Sequence, residues 1–277
     1  MTKDNESKTS SPLIFFGLTF LLTWAFWIPA GWLSRGQYDS LSNILHYAGG
    51  VMPTLVALLL LYIRGSHQMR RDYWQRLIDF KSISIIWYLV ILLTVPILTA
   101  IGIVLDMILG GTGAKLEAAS GILSNPLSLF PFAIVTLIFG PLPEEMAWRG
   151  YALDSLQAKR NALVASLVLG IAWTLWHLPL FLIQGTYQYA LGVGTPQFWL
   201  YMLDKVPQSI MMTWLYNNNR RSTVTAVLFH FIVNFVGELF ALSLRTETIY
   251  ISSWWIMAVL VIAIWKPQRF VRVRSAI

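Results

Sequence analysis

Long apolar stretches separated by short polar segments form the main pattern of this chain. Eight of the stretches approach the length of roughly 20 residues that a helix needs to cross the hydrocarbon core of a bilayer. They cover residues 13–33, 44–63, 84–105, 128–147, 162–183, 197–216, 223–243 and 249–265. Because backbone polar groups find no water inside a bilayer, each stretch is predicted to be helical. The pattern therefore predicts an all-α, polytopic membrane helix bundle of about eight transmembrane helices.

The composition agrees with a membrane protein. Of the 277 residues, 56% are hydrophobic and 12% are charged, whereas soluble domains average roughly 25% charged residues. The chain has no cysteine, which excludes disulfides, thiol nucleophiles and cysteine-ligated metal sites. We interpret residues 13–265 as a single transmembrane domain, between a polar cytoplasmic tail at 1–12 and a basic cytoplasmic tail at 266–277.

The net charge of +7 is distributed in a way that favours a membrane topology over nucleic-acid binding. Fifteen of the 20 lysines and arginines lie in the termini and in every second connection, against three in the alternate connections. Positive residues accumulate on the cytoplasmic side of membrane proteins, so both termini are predicted to be cytoplasmic. We expect the lipid bilayer as a partner and no nucleic acid.

Two glutamates and an arginine interrupt the fourth apolar stretch, in the sequence GPLPEEMAWRG at residues 140–150. On an α-helix, Arg149 would lie about 40° from Glu145 and about 140° from Glu144. Glu145 is therefore predicted to neutralise Arg149 as an i,i+4 pair, which leaves Glu144 on another face without a local partner. Ionisable residues inside a span are costly and face a bundle interior or a cavity, so these residues are candidates for a functional site.

Two further stretches carry polar residues suited to the same site. His177, in the fifth stretch, and Glu144 lie at nearly equal distances from the predicted hairpin tip near Arg160. In an antiparallel hairpin, they are therefore predicted to reach the same height. His230 and Asn234, in the seventh stretch, lie at i and i+4 and share one helix face. Three helices are thus predicted to converge on one buried polar site.

The chemistry of this set is hydrolytic. A buried carboxylate beside a histidine can activate a water molecule, and a second histidine with an asparagine can stabilise an oxyanion. Such a site would attack an acyl carbon without a serine or cysteine nucleophile. One glutamate and two histidines are also a known zinc ligand set, here Glu144, His177 and His230. The residues alone leave the metal-free and the zinc alternatives open.

Three motifs resemble those of the CAAX prenyl endopeptidases and bacteriocin-processing enzymes, a family of intramembrane proteases. The family pattern E-E-x-x-x-R appears as EEMAWR, and H-x-x-x-N appears as HFIVN. The pattern F-x-x-x-H appears as WTLWH, with Trp173 in place of phenylalanine. All three lie within residues 132–237. We expect the change to Trp173 to leave the site chemistry unchanged.

The resemblance implies a role for each motif residue. Glu144 and His177 would activate the water, and His230 with Asn234 would form the oxyanion site. Glu145 and Arg149 would support the site structurally. The resemblance favours a water activated without metal or other cofactor, with zinc as the alternative. It implies a peptide or protein substrate, such as a prenylated C-terminal peptide, a bacteriocin leader or a membrane-anchored regulator.

Two functions without peptide hydrolysis remain open at this point. A transporter could use Pro141, Pro143 and Pro179 to break helices around a binding site, although no internal repeat supports transport. An immunity or scaffold protein could use the same fold for binding alone. Loss of Glu144 would leave such a protein's function unchanged.

Other ionisable residues are set aside. Asp204 and Lys205 are adjacent and point about 100° apart, so they are expected to pair across helices and not with each other, with a position lining the substrate entry as the alternative. Glu238 continues the polar stripe of the seventh stretch one turn further. Asp106, near the end of the third stretch, is expected to be accessible to water. Two histidines are not expected to join the site, namely His46 and His67.

Overall fold

A computed structural model describes residues 12–36 and 39–271, and its regular structure is helical except for one small sheet. The α-helices are α1 (Pro12–Leu33), α2 (Asp39–Arg64), α3 (His67–Leu77), α4 (Ile85–Ile108), α5 (Ala118–Ser124), α6 (Leu129–Phe139), α7 (Pro141–Ala147), α8 (Leu153–Gln157), α9 (Ala162–Trp176), α10 (Tyr187–Leu191), α11 (Pro196–Asn218), α12 (Thr223–Leu239) and α13 (Leu244–Trp265). Strands β1 (Ala114–Leu116) and β2 (Phe240–Leu242) pair antiparallel. The predicted all-α class is confirmed. Residues 1–11 and 272–277 of the predicted tails lie outside the described residues.

Six segments of the described chain are long and apolar enough to cross a membrane. They are Pro12–Leu33, Asp39–Arg64, Ile85–Ile108, Pro126–Gln157, Ala162–Leu182 and Leu244–Trp265. The predicted count of about eight is therefore not confirmed. Of the remaining two helices, α11 is long enough but less apolar, and α12 has only 17 residues. The polar side chains of α11 are covered by neighbouring helices, which explains how a less apolar helix lies inside the bundle.

Segments rich in basic residues meet at one end of the bundle, which we call the basic end. It contains residues 64–82, 154–162, 216–222 and 266–271. Arg221 forms ion pairs with both Asp72 and Asp154. The backbone N–H of Ala162 donates to the carbonyl of Gln268 at 3.0 Å. This grouping places the basic connections on a common side, as the alternation of charge in the sequence predicts.

The predicted fourth span is not one continuous helix. It breaks at Gly140, where φ is −132° and ψ is −92°, and α7 begins at the next residue, Pro141. A proline suits this first helical position because it lacks an N–H that the helix would leave unpaired. After α7, residues Trp148–Ala152 form a π turn, a feature often found at functional sites. Both glutamates of the EEMAWR motif therefore lie on a short helix of their own.

Side chains of α3 hold this irregular segment in place. The hydroxyl of Tyr73 donates to the carbonyl of Met146 at 3.1 Å. Arg76 Nη2 donates to the carbonyl of Gly150, also at 3.1 Å. These two bonds connect the basic end directly to α7 and to the π turn.

Helices α9 and α11 approach each other closely at Gly170. A Cβ atom added there would lie 3.0 Å from Ser209 Cβ and 3.0 Å from Val206 Cα. Small residues at helix contacts in membrane proteins allow this kind of close backbone approach. The contact brings the WTLWH motif on α9 against the polar side chains of α11.

Candidate active site

Glu145 is the centre of a buried ion pair. Arg149 Nη1 donates to the two carboxylate oxygens of Glu145 at 2.8 and 3.0 Å, and both residues are 0% exposed. His230 Nδ1 lies 2.9 Å from Glu145 Oε1. Because an ionised carboxylate only accepts hydrogen bonds, Nδ1 carries the proton in this contact. The predicted Glu145–Arg149 pair is confirmed, and its additional contact with His230 is one that the sequence did not reveal.

Glu144 has a partner on another helix. The indole Nε1 of Trp173 donates to Glu144 Oε2 at 2.6 Å. The prediction that Glu144 lacks a partner therefore holds only within its own helix. The expectation that Trp173 leaves the site chemistry unchanged did not include this bond, which phenylalanine could not form because it has no N–H to donate. A buried tryptophan N–H usually finds an acceptor, and this was the signal available in the sequence.

Trp173 also contacts both histidines. Its ring centroid lies 5.0 Å from that of His230 and 5.7 Å from that of His177, in edge-on geometry. The guanidinium carbon of Arg149 lies 5.2 Å from the centroid of the same ring. We call the resulting set the Trp173 cluster: Glu144, Glu145, Arg149, Trp173, His177 and His230. Three helical segments converge in it, as the motifs predict.

His177 lies where α9 ends and a 3₁₀ turn over Leu178–Leu182 begins. Its Nδ1 lies 2.7 Å from the carbonyl oxygen of Trp173. A carbonyl only accepts, so Nδ1 carries a proton and, in the neutral ring, Nε2 is left as an acceptor. Within the described ranges, no hydrogen bond joins Glu144 directly to His177. Their link passes through Trp173.

Asn234 lies one turn beyond His230 on α12 and is half-buried. A Cβ atom added to Gly140 would lie 3.2 Å from Asn234 Nδ2, so the amide faces the break between α6 and α7. Glu238, a further turn along, is exposed, and its Oε2 accepts from the hydroxyl of Thr136 at 3.4 Å. Asn234 thus borders the helix that carries Glu144, whereas Glu238 contacts α6.

Two expectations about the residues set aside are wrong. Lys205 Nζ lies 3.0 Å from Asp204 Oδ1, so these neighbours do pair with each other. The long lysine stem can bend back along the helix, which an estimate from backbone angles ignores. Asp106 is 0% exposed and not accessible to water, because residues 113 and 243–246 cover it. His46 and His67 lie apart from the Trp173 cluster.

The zinc alternative finds no support in this arrangement. Among the described residues, no group of three or more histidine, cysteine, aspartate or glutamate side chains is arranged to hold a metal ion. Glu144 accepts from Trp173 through one oxygen only, and the contact of His230 Nδ1 with Glu145 leaves Nε2 unengaged, so these two bonds do not by themselves exclude a metal. Glu144, His177 and His230 are not such a group among the described residues, and the metal-free mechanism stays a proposal.

Comparisons with known proteins agree with the motifs. A family model described as type II CAAX prenyl endopeptidase Rce1-like matches residues 126–236. The chain is also 28% identical over 267 residues to a protein named CAAX prenyl protease 2 from Methanococcus maripaludis. The aligned residues cover 96% of this chain and 98% of that protein. The resemblance to the CAAX prenyl endopeptidases is confirmed. Both matches support a peptide hydrolase of the CAAX endopeptidase type, and they favour it over the transporter and the scaffold.

Proposed function

We propose that this chain hydrolyses a peptide bond inside the membrane near the cytoplasmic face. It matches the type II CAAX prenyl endopeptidase family model over residues 126–236 and a protein named CAAX prenyl protease 2 over 96% of its length. The observation that carries the proposal is the Trp173 cluster, in which two carboxylates and two histidines are buried together among three helical segments. Ionisable groups at such depth are costly to bury and are retained for function.

Glu144 is the proposed general base. Its carboxylate is held by one indole N–H, which fixes one oxygen and leaves the other available to a water molecule. His177 offers its Nε2 as an acceptor, since Nδ1 is engaged by the carbonyl of Trp173. The two groups would orient the water and remove its proton as it attacks the peptide carbonyl, and Glu144 would pass that proton to the leaving amine as the C–N bond breaks. General base catalysis of this kind contributes roughly 10²–10⁴-fold in rate.

His230 and Asn234 are the proposed oxyanion site. The contact between His230 Nδ1–H and Glu145 orients the ring so that Nε2 points away from Glu145, and Nε2 donates to the oxyanion when the ring is doubly protonated. The negative Glu145 also supports positive charge on that ring during the reaction. Asn234 supplies amide donors from the next turn of α12. A single oxyanion donor contributes about 10²–10³-fold to the rate.

Glu145 and Arg149 are proposed to support the site and not to react. Their ion pair is fully buried, and it leaves Glu145 able to hold His230 as well. The proposed mechanism uses no metal or other cofactor. Each step is assigned to a side chain of the Trp173 cluster or to Asn234.

The proposed substrate is a membrane-bound peptide. The curated relative is named a CAAX prenyl protease, and a C-terminal C-a-a-X sequence is the signal for prenylation of its cysteine. A lipid-modified C-terminus would lie in the bilayer beside helices of this protein. The chain is an integral membrane protein, and we propose that the basic end and both termini are cytoplasmic.

Orientation can be tested with reporter fusions. Fusions after Arg160, at the basic end, are expected to report the cytoplasm. Fusions near Lys115, in β1 at the opposite end, are expected to report the other side. Reversed results at both positions would contradict the proposed orientation.

Cleavage itself can be tested with purified protein in proteoliposomes. The substrate is a synthetic peptide that ends in a farnesylated C-a-a-X sequence, and its products are identified by mass spectrometry. We expect cleavage to persist after treatment with a strong chelator. Absence of cleavage would contradict the proposed function. Loss of cleavage on chelation, with recovery on adding zinc, would contradict the metal-free mechanism alone.

A further inference from the structure

A second buried polar cluster lies on α11. It consists of Asp204, Lys205 and Gln208, which are 9%, 8% and 1% exposed. Lys205 Nζ lies 3.0 Å from Asp204 Oδ1, and Gln208 Nε2 donates to Asp204 Oδ2 at 3.0 Å. A charged pair inside a membrane bundle is expensive and is a candidate for function. None of these residues has a role in the hydrolytic mechanism described above.

This cluster borders the candidate active site. Lys205 Nζ lies 5.5 Å from the centroid of the Trp173 ring, whose N–H donates to Glu144. The ring of Tyr201, which is 4.2 Å from Lys205 Nζ, lies 5.8 Å from the ring of His177. The Lys205 ammonium is therefore separated from the proposed general base by a single indole ring.

The cluster contains both hydrogen-bond donors and a hydrogen-bond acceptor that no described residue uses. An ammonium has three N–H donors, and Asp204 is the only acceptor that Lys205 contacts among the described residues. On the other side, Gln208 Oε1 is a buried acceptor without a hydrogen-bond partner in the described chain. Such an unpaired buried oxygen is costly, and it is one turn of α11 away from the unused donors of Lys205.

The last residue of a peptide offers the complementary pair of groups. Its terminal carboxylate accepts hydrogen bonds and carries the charge that an ammonium binds, and its backbone N–H is a donor for an amide oxygen. A simple anion would satisfy Lys205 but would leave Gln208 Oε1 unpaired. The combination therefore fits the end of a chain better than it fits a free anion.

We propose that Lys205 and Gln208 form a subsite for the free C-terminus of the substrate, on the leaving-group side of the cleaved bond. The carboxylate would bind Lys205, and the last N–H would bind Gln208 Oε1. An extended peptide advances about 3.3–3.6 Å per residue, so a few residues suffice to cross from Glu144 past the single indole ring to Lys205. Asp204 holds the ammonium in position. This inference rests on the proposed peptidase function.

The test compares two peptides that differ only at the C-terminus, one a free carboxylate and the other a carboxamide. Because a hydrogen bond to a charged group stabilises the complex, we expect the wild-type protein to cleave the carboxylate peptide with about tenfold higher kcat/KM than the carboxamide peptide. The difference should lie chiefly in KM. Lys205→Met keeps the aliphatic stem and removes the charge. It is expected to lower cleavage of the carboxylate peptide to the level of the carboxamide peptide.

Two further variants keep the test interpretable. Lys205→Met leaves Asp204 without its countercharge, so the double variant Asp204→Asn with Lys205→Met restores neutrality and is expected to lose the same preference. Lys159→Met changes an exposed lysine near the basic end and is expected to keep the preference. If the wild-type protein and the charge-free double variant favour the carboxylate equally, the subsite is wrong while the peptidase function stands. If the wild-type protein cleaves neither peptide, both proposals fail.

Discussion

Two of the regions that bury carboxylates in this molecule differ greatly in how many hydrogen bonds those carboxylates accept. Asp106, where α4 ends, accepts from the backbone N–H of Gly113 at 2.8 Å and from the hydroxyl of Ser243 at 2.9 Å. The hydroxyl of Thr246 lies 2.9 Å from the same oxygen, and Arg245 forms an ion pair with the other. We call these five residues the Asp106 clasp. It joins the end of α4 to the β1 and β2 strands and the start of α13.

In the Trp173 cluster, unlike the Asp106 clasp, some buried polar atoms lack hydrogen-bond partners among the described residues. Glu144 accepts one indole N–H. Arg149 Nε and Nη2 are buried without a hydrogen-bond partner in the described residues. Buried polar groups that stay unpaired cost stability, and each instance in a native protein calls for an explanation. On the proposed mechanism, the clasp serves the fold, whereas Glu144 in the Trp173 cluster keeps one oxygen for a water molecule.

The largest effect on stability is expected at the Glu145–Arg149 pair. Removing one partner of a buried ion pair costs about 3–5 kcal/mol, because the other charge is left uncompensated. Glu145→Gln and Arg149→Gln should each lower the melting temperature in detergent strongly. The double variant should be less damaging than the sum of the two single changes. Strictly additive losses would show that the two side chains do not depend on each other.

A smaller effect is expected from Trp173→Phe, which restores the residue of the family pattern. The change keeps an aromatic ring and removes the N–H that holds Glu144. A hydrogen bond to a charged group is worth about 1.5–3 kcal/mol. We expect turnover to fall about tenfold with little change in KM, since the group that is displaced is the proposed general base and not a binding group.

A matched control for this change is available in α1. Trp27 is equally buried, and its indole donates to the carbonyl of His46 at 2.7 Å. Trp27→Phe should lower stability without lowering the turnover of the folded protein. Equal losses of turnover in the two variants would show that Trp173 acts through packing and not through its N–H.

The sequence predicts those features that depend on local spacing. Glu145 and Arg149 pair because i and i+4 are neighbours on a helix, and the hydrophobic stretches mark where helices lie. The break at Gly140 also has a local signal, the Gly-Pro dipeptide, which commonly marks turns. The predicted span was nevertheless continuous, because hydropathy alone does not register a change of helix direction.

Contacts between distant residues account for what the sequence did not reveal. The bond from Trp173 to Glu144 depends on how α9 packs against α7, and the burial of Asp106 depends on residues 113 and 243–246. The pairing of Asp204 with Lys205 depends on a flexible side chain that helix angles do not describe. The count of apolar spans differs because α11 carries polar residues that are buried inside the bundle and because α12 has only 17 residues.

One pair of matched substitutions tests the central claim most directly. Glu144→Gln and Asp106→Asn each replace a buried carboxylate by an amide of similar size, one in the Trp173 cluster and one in the Asp106 clasp. Turnover of the farnesylated peptide per folded molecule is measured together with the melting temperature. We predict that Glu144→Gln keeps its melting temperature and loses about 10²–10⁴-fold in turnover, whereas Asp106→Asn melts lower and keeps its turnover. Substantial turnover by Glu144→Gln, or an equal loss per folded molecule in Asp106→Asn, would contradict this account.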